Sequence, residues 1–163
     1  MEKILYAPWR TAYHEEKKPE GCVFCHISEH ASDDTQLHVL YRDELCFIVM
    51  NRYPYAPGHF MIIPHKHVDA LENLQSETWL HICALAQKGV RLLKEGFDAQ
   101  GVNIGMNLGK AGGAGIAEHI HLHLVPRWEG DTNFITSIAT TRVYSTDFET
   151  IYKKIVALAP HYF

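Results

Sequence analysis

The sequence contains no run of about 18 apolar residues, so no helix that spans a bilayer is expected. Residues 1–10 lack the apolar stretch of a signal peptide, and the expected compartment is the cytoplasm. Cysteine is scarce. Cys22, Cys25, Cys46 and Cys83 are expected as thiols or metal ligands rather than as a disulfide framework. Positive charge is not in excess: 15 Lys and Arg stand against 19 Asp and Glu, for a net charge of −4, which disfavours a broad nucleic-acid-binding face. Low-complexity segments, internal repeats and shifts of composition that would mark a domain boundary are all missing. The remaining balance, 47% apolar and 21% charged over 163 residues, is that of one folded domain spanning 1–163.

Punctuation and periodicity predict the elements. Residues 1–21, with Pro8, Pro19 and Gly21, read as an irregular N-terminal arm that docks through Tyr6, Trp9 and Tyr13. Strands are expected over 37–41, 46–50 and 60–64, with turn or loop compositions between them. A helix is expected from Ser76, as its cap, to Gly96, as its end. Leu80, Cys83, Ala84, Gln87, Val90 and Arg91 mark one side of it, and Trp79, Ile82, Leu85, Ala86, Leu92 and Leu93 widen its apolar face. A strand over 102–107, a glycine-rich loop over 109–115 and a strongly alternating strand over 119–126 follow. A C-terminal helix over 146–159 opens on a Thr146/Glu149 capping box and stops before Pro160. Strands in a run with two principal helices predict an α+β fold with a mainly antiparallel sheet.

What the sequence has in abundance is histidine, with 12 copies. Three of them alternate in Glu118-His119-Ile120-His121-Leu122-His123-Leu124-Val125-Pro126. On a strand, His119, His121 and His123 share one face, and Ile120, Leu122 and Leu124 share the other, toward a core. Same-face neighbours on a straight strand stand roughly 6.6 Å apart, so the three do not converge on one ion. Chemistry suits the central one. A neutral imidazole attacks phosphorus near pH 7 and splits one hard displacement into two easier steps through a phosphoramidate. The preceding Lys110-Ala111-Gly112-Gly113-Ala114-Gly115 offers backbone N–H groups to phosphate oxygens.

The run His119-Ile120-His121-Leu122-His123-Leu124-Val125 resembles the defining motif of the histidine-triad (HIT) superfamily. Further blocks extend the resemblance from about residue 7 to residue 134: Ala7-Pro8-Trp9-Arg10, Cys22-Val23-Phe24-Cys25, Asn51-Arg52-Tyr53-Pro54, Pro57-Gly58-His59, Ile63-Pro64-His65-Lys66-His67, Asn103-Ile104-Gly105-Met106-Asn107 and the stretch from Pro126 to Phe134. The chain is most similar to the bacterial branch described as diadenosine-tetraphosphate phosphorylase-like. The resemblance implies cleavage of dinucleoside polyphosphates, or of related nucleotide conjugates, at the α-phosphate. His121 would be the nucleophile, His123 a contact to the phosphate or leaving group, Asn51 a ribose ligand and Asn107 a phosphate contact. The family's Gln and Ser or Thr before the triad are replaced by Gly115 and Ile116, so Gly113 and Gly115 are expected to bind phosphate through backbone N–H. A magnesium ion accompanying the polyphosphate and a homodimer paired through the long helix are also implied. A nucleotide-binding regulatory module without turnover and a nucleoside phosphoramidase are the alternatives.

Cys22 and Cys25 with His26 match a haem-attachment signature, which requires export, and the pair also has redox spacing, which requires a strand-to-helix junction. Zinc with two further histidines is the remaining reading. The resemblance implies His67 and His119 as those partners, with a structural role and no open coordination position. Cys46 and Cys83 are expected as buried thiols and Trp128 as a packing residue. Arg127 fits a phosphate contact or a surface ion pair, and His65 is expected at the surface. His14, His26, His30, His38, His81 and His161 carry no motif.

Overall fold

The computed structural model describes residues 21–131 and 146–163. The docking of Tyr6, Trp9 and Tyr13 and the motif residues 132–134 lie outside them. In chain order the elements are α1 (Val23–Glu29), β1 (Val39–Arg42), β2 (Cys46–Met50), β3 (Phe60–Pro64), α2 (Ser76–Phe97), β4 (Gly101–Gly105), β5 (Leu122–Arg127) and α3 (Phe148–Leu158). The five strands form one antiparallel sheet in the order β1-β2-β3-β5-β4. No helix of the described residues is long and apolar enough to cross a membrane.

Alternation along the central strands sorts the side chains between two faces. Cys46, Ile48 and Met50 of β2, Phe60 and Ile62 of β3, and Leu122 and Leu124 of β5 join the main core beneath α2 and α3. Phe47 and Val49 of β2, with Met61 and Ile63 of β3, pack on the opposite face against Phe24 and Ile27 of α1. The central strands are therefore buried on both sides, which explains their nearly unbroken apolar sequences. Ile120, Leu122 and Leu124 are buried toward the core as the alternation predicts.

The expected α+β sheet is present, with several corrections to the details. α1 was not expected. It places the cysteine pair at the opening of a helix, Cys22 at the cap and Cys25 in the first turn, instead of in an irregular arm. The buried side of α2 is Thr78, Ile82, Leu85, Ala86, Gly89, Leu92 and Leu93. Leu80, Ala84, Gln87 and Arg91 face outward, and Cys83 is only half-buried. Gln75, not Ser76, occupies the N-cap of α2 and makes no side-chain cap bond, while Asp98 closes the helix in the left-handed conformation. Gly96 lies inside the helix, where α3 passes so close that a Cβ would collide with Leu158 Cδ1. α3 is capped by Asp147, whose carboxylate accepts from the Thr150 N–H, one residue later than the expected box. β5 begins at Leu122 rather than at residue 119. The Ile120 N–H bonds to the Val68 carbonyl and His119 and His121 bond through their rings, so this stretch is held outside the ladder.

Candidate active site

β5 delivers His123 to the α1 side of the sheet, opposite Met61 on β3 and Gly105 on β4. The segment just before β5 brings His121 and His119 to the same side. Phe24 of α1 meets both rings, with centroids 5.0 Å from His121 and 5.6 Å from His119, and the His121 and His123 rings meet edge to face at 4.8 Å. A cavity of about 770 Å³ opens here. Its walls include the expected Asn51, Asn107, Gly113, Gly115, His121 and His123.

Hydrogen bonds decide which nitrogen of each imidazole carries the proton. The His121 Nδ1–H donates to the His119 carbonyl at 2.8 Å, so Nε2 keeps its lone pair. The His119 Nε2–H donates to the Pro64 carbonyl at 2.9 Å, leaving Nδ1 as the lone-pair nitrogen. His59 starts a third relay. Its Nδ1 accepts from the Tyr55 N–H at 3.1 Å, so its Nε2–H donates to His123 Nδ1 at 3.0 Å, and His123 presents an Nε2–H. Burial holds all of these rings neutral. It pushes His59 down to about 3, helped by His123 and His121, and His123 down to about 4, helped by His121. Burial also lowers His121 from the usual histidine value, against the opposing bond to the His119 carbonyl. The site thus joins a neutral imidazole with a free lone pair to a neighbouring ring that donates, the pair of functions that phosphoryl displacement needs.

Asn51 follows β2. Its Oδ1 accepts from the Tyr53 N–H at 2.8 Å, which orients the amide at the cavity wall. Asn107 reaches across the glycine loop, with Nδ2 3.5 Å from the Gly113 carbonyl. Within that loop the N–H groups of Gly113 and Ala114 close turns onto the carbonyls of Lys110 and Gly109. The Gly115 N–H has no backbone partner among the described residues. Gly113 itself sits at φ 87, where a side chain would be strained.

The four residues expected to hold zinc converge. Cys22, Cys25, His67 and His119 offer donor atoms that all lie within 4.8 Å of one another. Cys25 Sγ is 3.2 Å from His67 Nδ1 and 3.7 Å from His119 Nδ1, and Cys22 Sγ is 3.4 Å from His119 Nδ1. Ligand atoms bonded to one tetrahedral zinc ion at about 2.0–2.3 Å stand roughly 3.3–3.8 Å apart, so the donor set fits. The Pro64 bond already turns the His119 lone pair toward the cysteines, as a ligating histidine requires. Burial, then the neighbouring Cys22, pushes the Cys25 thiol up to about 11, an environment that a cation would relieve. These residues could hold a metal ion.

Other residues fall into place. Arg127 pairs with Asp131 at 2.6 and 2.8 Å and bonds to Asn103, which fits the ion-pair reading. Trp128 packs against the core and donates to the Phe97 carbonyl. His65 donates to the Asp43 carbonyl and accepts from the Ser28 hydroxyl, away from the cavity lining. Sequence reasoning gave no role to three histidines at the site: His59, and His26 and His38 in the cavity wall. The Pro57-Gly58-His59 block was a signal for the first, and nothing local marked the other two.

The family model described as the HIT domain matches residues 33–130. The AP-4-A phosphorylase of Mycobacterium tuberculosis is 44% identical over 112 residues, 69% of this chain and 57% of that protein. The chain thus spans little more than half the length of this curated relative. A bis(5'-adenosyl)-triphosphatase of Dictyostelium discoideum is 29% identical over 96 residues, 59% of this chain and 64% of that protein. Among solved structures, a Zn-bound histidine triad family protein from Mycobacterium smegmatis aligns at a TM-score of 0.70 and 33% identity, over 86% of this chain and 94% of that one. The match over residues 33–130 and the three histidines on one side of the sheet lead to one assignment: the chain belongs to the HIT domain family.

Proposed function

We propose that this chain is a nucleotide hydrolase or phosphorylase that cleaves dinucleoside polyphosphates, such as diadenosine tetraphosphate, at the α-phosphate. The observation that carries the reading is the His121 ring: neutral, tied through Nδ1 to the His119 carbonyl, and lining a cavity beside a donating His123. His121 Nε2 attacks the α-phosphorus. The P–N bond forms as the P–O bond to the leaving nucleotide breaks, and the His123 Nε2–H donates to the departing oxygen. Water or inorganic phosphate then attacks the nucleotidyl-histidine and regenerates the imidazole. Asn51 holds the ribose, and Asn107 and the Gly113–Gly115 stretch hold phosphate, with the Gly115 N–H, which has no backbone partner among the described residues, as a donor. Magnesium arrives with the polyphosphate. The names of the mycobacterial phosphorylase and of the Dictyostelium triphosphatase support the substrate class.

The metal is zinc, held by Cys22, Cys25, His67 and His119, and its role is structural because four protein ligands leave no position for a reacting water. It ties α1 to the segment that carries His121. A reducing, cytoplasmic setting suits two thiolate ligands. The protein is a homodimer. The exposed Leu80 on the outer side of α2 and the exposed Ile104 on the edge strand β4 are the apolar surface that a second copy would cover. Light scattering at micromolar concentration tests this, and a mass near the 18.6 kDa of one chain rejects it.

Incubation with diadenosine tetraphosphate, with and without inorganic phosphate, tests the activity. ADP plus ATP marks a phosphorylase and AMP plus ATP a hydrolase. His121→Asn is expected to bind the nucleotide and lose turnover by about three or more orders of magnitude. Turnover near that of the wild type would rule out the covalent route.

A further inference from the structure

One large side chain of the cavity wall is left mostly exposed. Tyr55 lines the cavity and is 57% exposed. The other exposed large apolar side chains of the described residues, Leu80, Ile104, Leu108 and Val156, are absent from that lining. A lone exposed aromatic ring is ordinary on a protein surface, and it is the place of this one, beside the reacting groups, that asks for a function.

The loop between β2 and β3 holds the ring in place. Pro54 precedes it and stiffens the chain. The Tyr55 N–H donates to His59 Nδ1 at 3.1 Å, the His59 N–H closes a turn onto the Ala56 carbonyl at 3.0 Å, and the Asn51 N–H bonds to the His59 carbonyl at 3.0 Å. The Tyr55 ring lies stacked against His59, with centroids 5.0 Å apart and planes at 27°. Its other ring neighbour among the described residues is His123, at 6.2 Å. One face therefore rests on His59 while the residue stays mostly open, which makes the ring a flat platform beside the histidine that serves the leaving group. The remaining apolar surface of the cavity lies elsewhere: Val23, Ile27, Leu37 and Val49 belong to the cluster beneath α1, and Tyr55 is not part of it.

We propose that Tyr55 is a leaving-group specificity residue: it stacks on the base of the departing nucleotide and so selects substrates that carry a second nucleoside. The inference rests on the nucleotide reading of the site. A dinucleoside polyphosphate brings two flat bases, and the cavity offers two separate surfaces for them, the apolar cluster beneath α1 and the Tyr55 ring. The leaving nucleotide departs from the His123 Nε2–H, and its flexible phosphate chain lets the base turn back onto the neighbouring ring. Every base has a π face, so stacking on an aromatic side chain selects for the presence of a base rather than for its identity. The ring is already held by its own loop, so little ordering is lost when the base arrives.

The test measures kcat and KM for wild type, Tyr55→Phe and Tyr55→Ala on two substrates of equal charge: diadenosine tetraphosphate, and the same compound with its second nucleoside reduced to ribose. Both variants keep the backbone N–H that bonds to His59, and melting curves check that they fold. If Tyr55→Ala does not fold, Tyr55→Leu, which keeps bulk without a π face, takes its place. Wild type is expected to favour the dinucleoside by about 10-fold or more in kcat/KM, beyond what the symmetry of that substrate gives. Tyr55→Ala should shrink this preference about fivefold or more, mainly through KM, and Tyr55→Phe should keep it. If the ribosyl compound proves inert, the KM for diadenosine tetraphosphate decides, raised about 10-fold by Tyr55→Ala and kept by Tyr55→Phe. A wild type without the preference, a Tyr55→Ala variant that keeps it or loses equally on both substrates, or a Tyr55→Phe variant that falls as far as Tyr55→Ala would each overturn the role of Tyr55 and leave the nucleotide reading standing. A wild type that turns over neither compound overturns both.

Discussion

His59 has no solvent exposure, yet it determines what His123 presents to the cavity. It acts through the chain of hydrogen bonds from the Tyr55 N–H to His123, which makes it a positioning residue. The same burial makes stability depend on pH. Folded, His59 and His123 stay neutral down to about 3 and about 4, whereas in the unfolded chain each takes up a proton near the ordinary value of 6.5. The unfolded chain therefore binds more protons below about 6.5, and the folded state loses stability as pH falls toward about 4. Each group contributes up to about 1.4 kcal/mol per pH unit. Urea midpoints at pH 7.5 and pH 5.0 are expected to differ accordingly, and His59→Phe should reduce the slope by one group's share. A pH-independent midpoint would mean that neither ring is buried neutral.

At the scale of elements, α2 determines how tightly the core closes over β3 and β5. Gly89 is where the helix touches the sheet: a Cβ there would lie 2.9 Å from Leu124 Cδ2 and 2.9 Å from Phe60 Cζ. Gly89→Val is expected to lower stability by about 1–3 kcal/mol through overpacking, despite the loss of a glycine from a helix. At the start of α3, Asp147 accepts both the N–H and the hydroxyl of Thr150. Asp147→Ala should cost about 1 kcal/mol in denaturant melts, and an unchanged midpoint would show that the end of α3 does not need its cap. Both positions illustrate why boundaries were less legible than elements. The apolar runs of β2 and β3 and the long period of α2 are strong signals summed over many residues. A cap is decided by one hydrogen bond, and its sequence signature slides by a residue, from Thr146 to Asp147 here and from Ser76 to Gln75 in α2.

For the whole molecule, the cluster of Cys22, Cys25, His67 and His119 brings α1 together with residues 67 and 119, distant parts of the chain, and could hold a metal ion. Zinc added to metal-free protein in weak buffer should release at least about one proton per ion, since Cys25 carries its proton at neutral pH and must lose it to bind. Removing the ion with a chelator, or Cys22→Ala, should lower the melting temperature. Unchanged melting and no proton release would show that the four residues hold no metal. The strands, the long helix, the inward set of Ile120, Leu122 and Leu124 and the three alternating histidines all follow from local order along the chain, because side-chain periodicity is written in neighbouring residues. The cysteine pair marked itself by its spacing, the family motif added Asn51, His67 and His119, and the fold brings the two cysteines and these two histidines together. The His59–His123 bond spans 64 residues and the His38–Glu149 pair 111, so neither has a local pattern to betray it. Such contacts arise when the sheet's register and the seating of α3 carry remote side chains to one cavity, and that packing is decided by the sum of all the apolar contacts rather than by any stretch of sequence read alone.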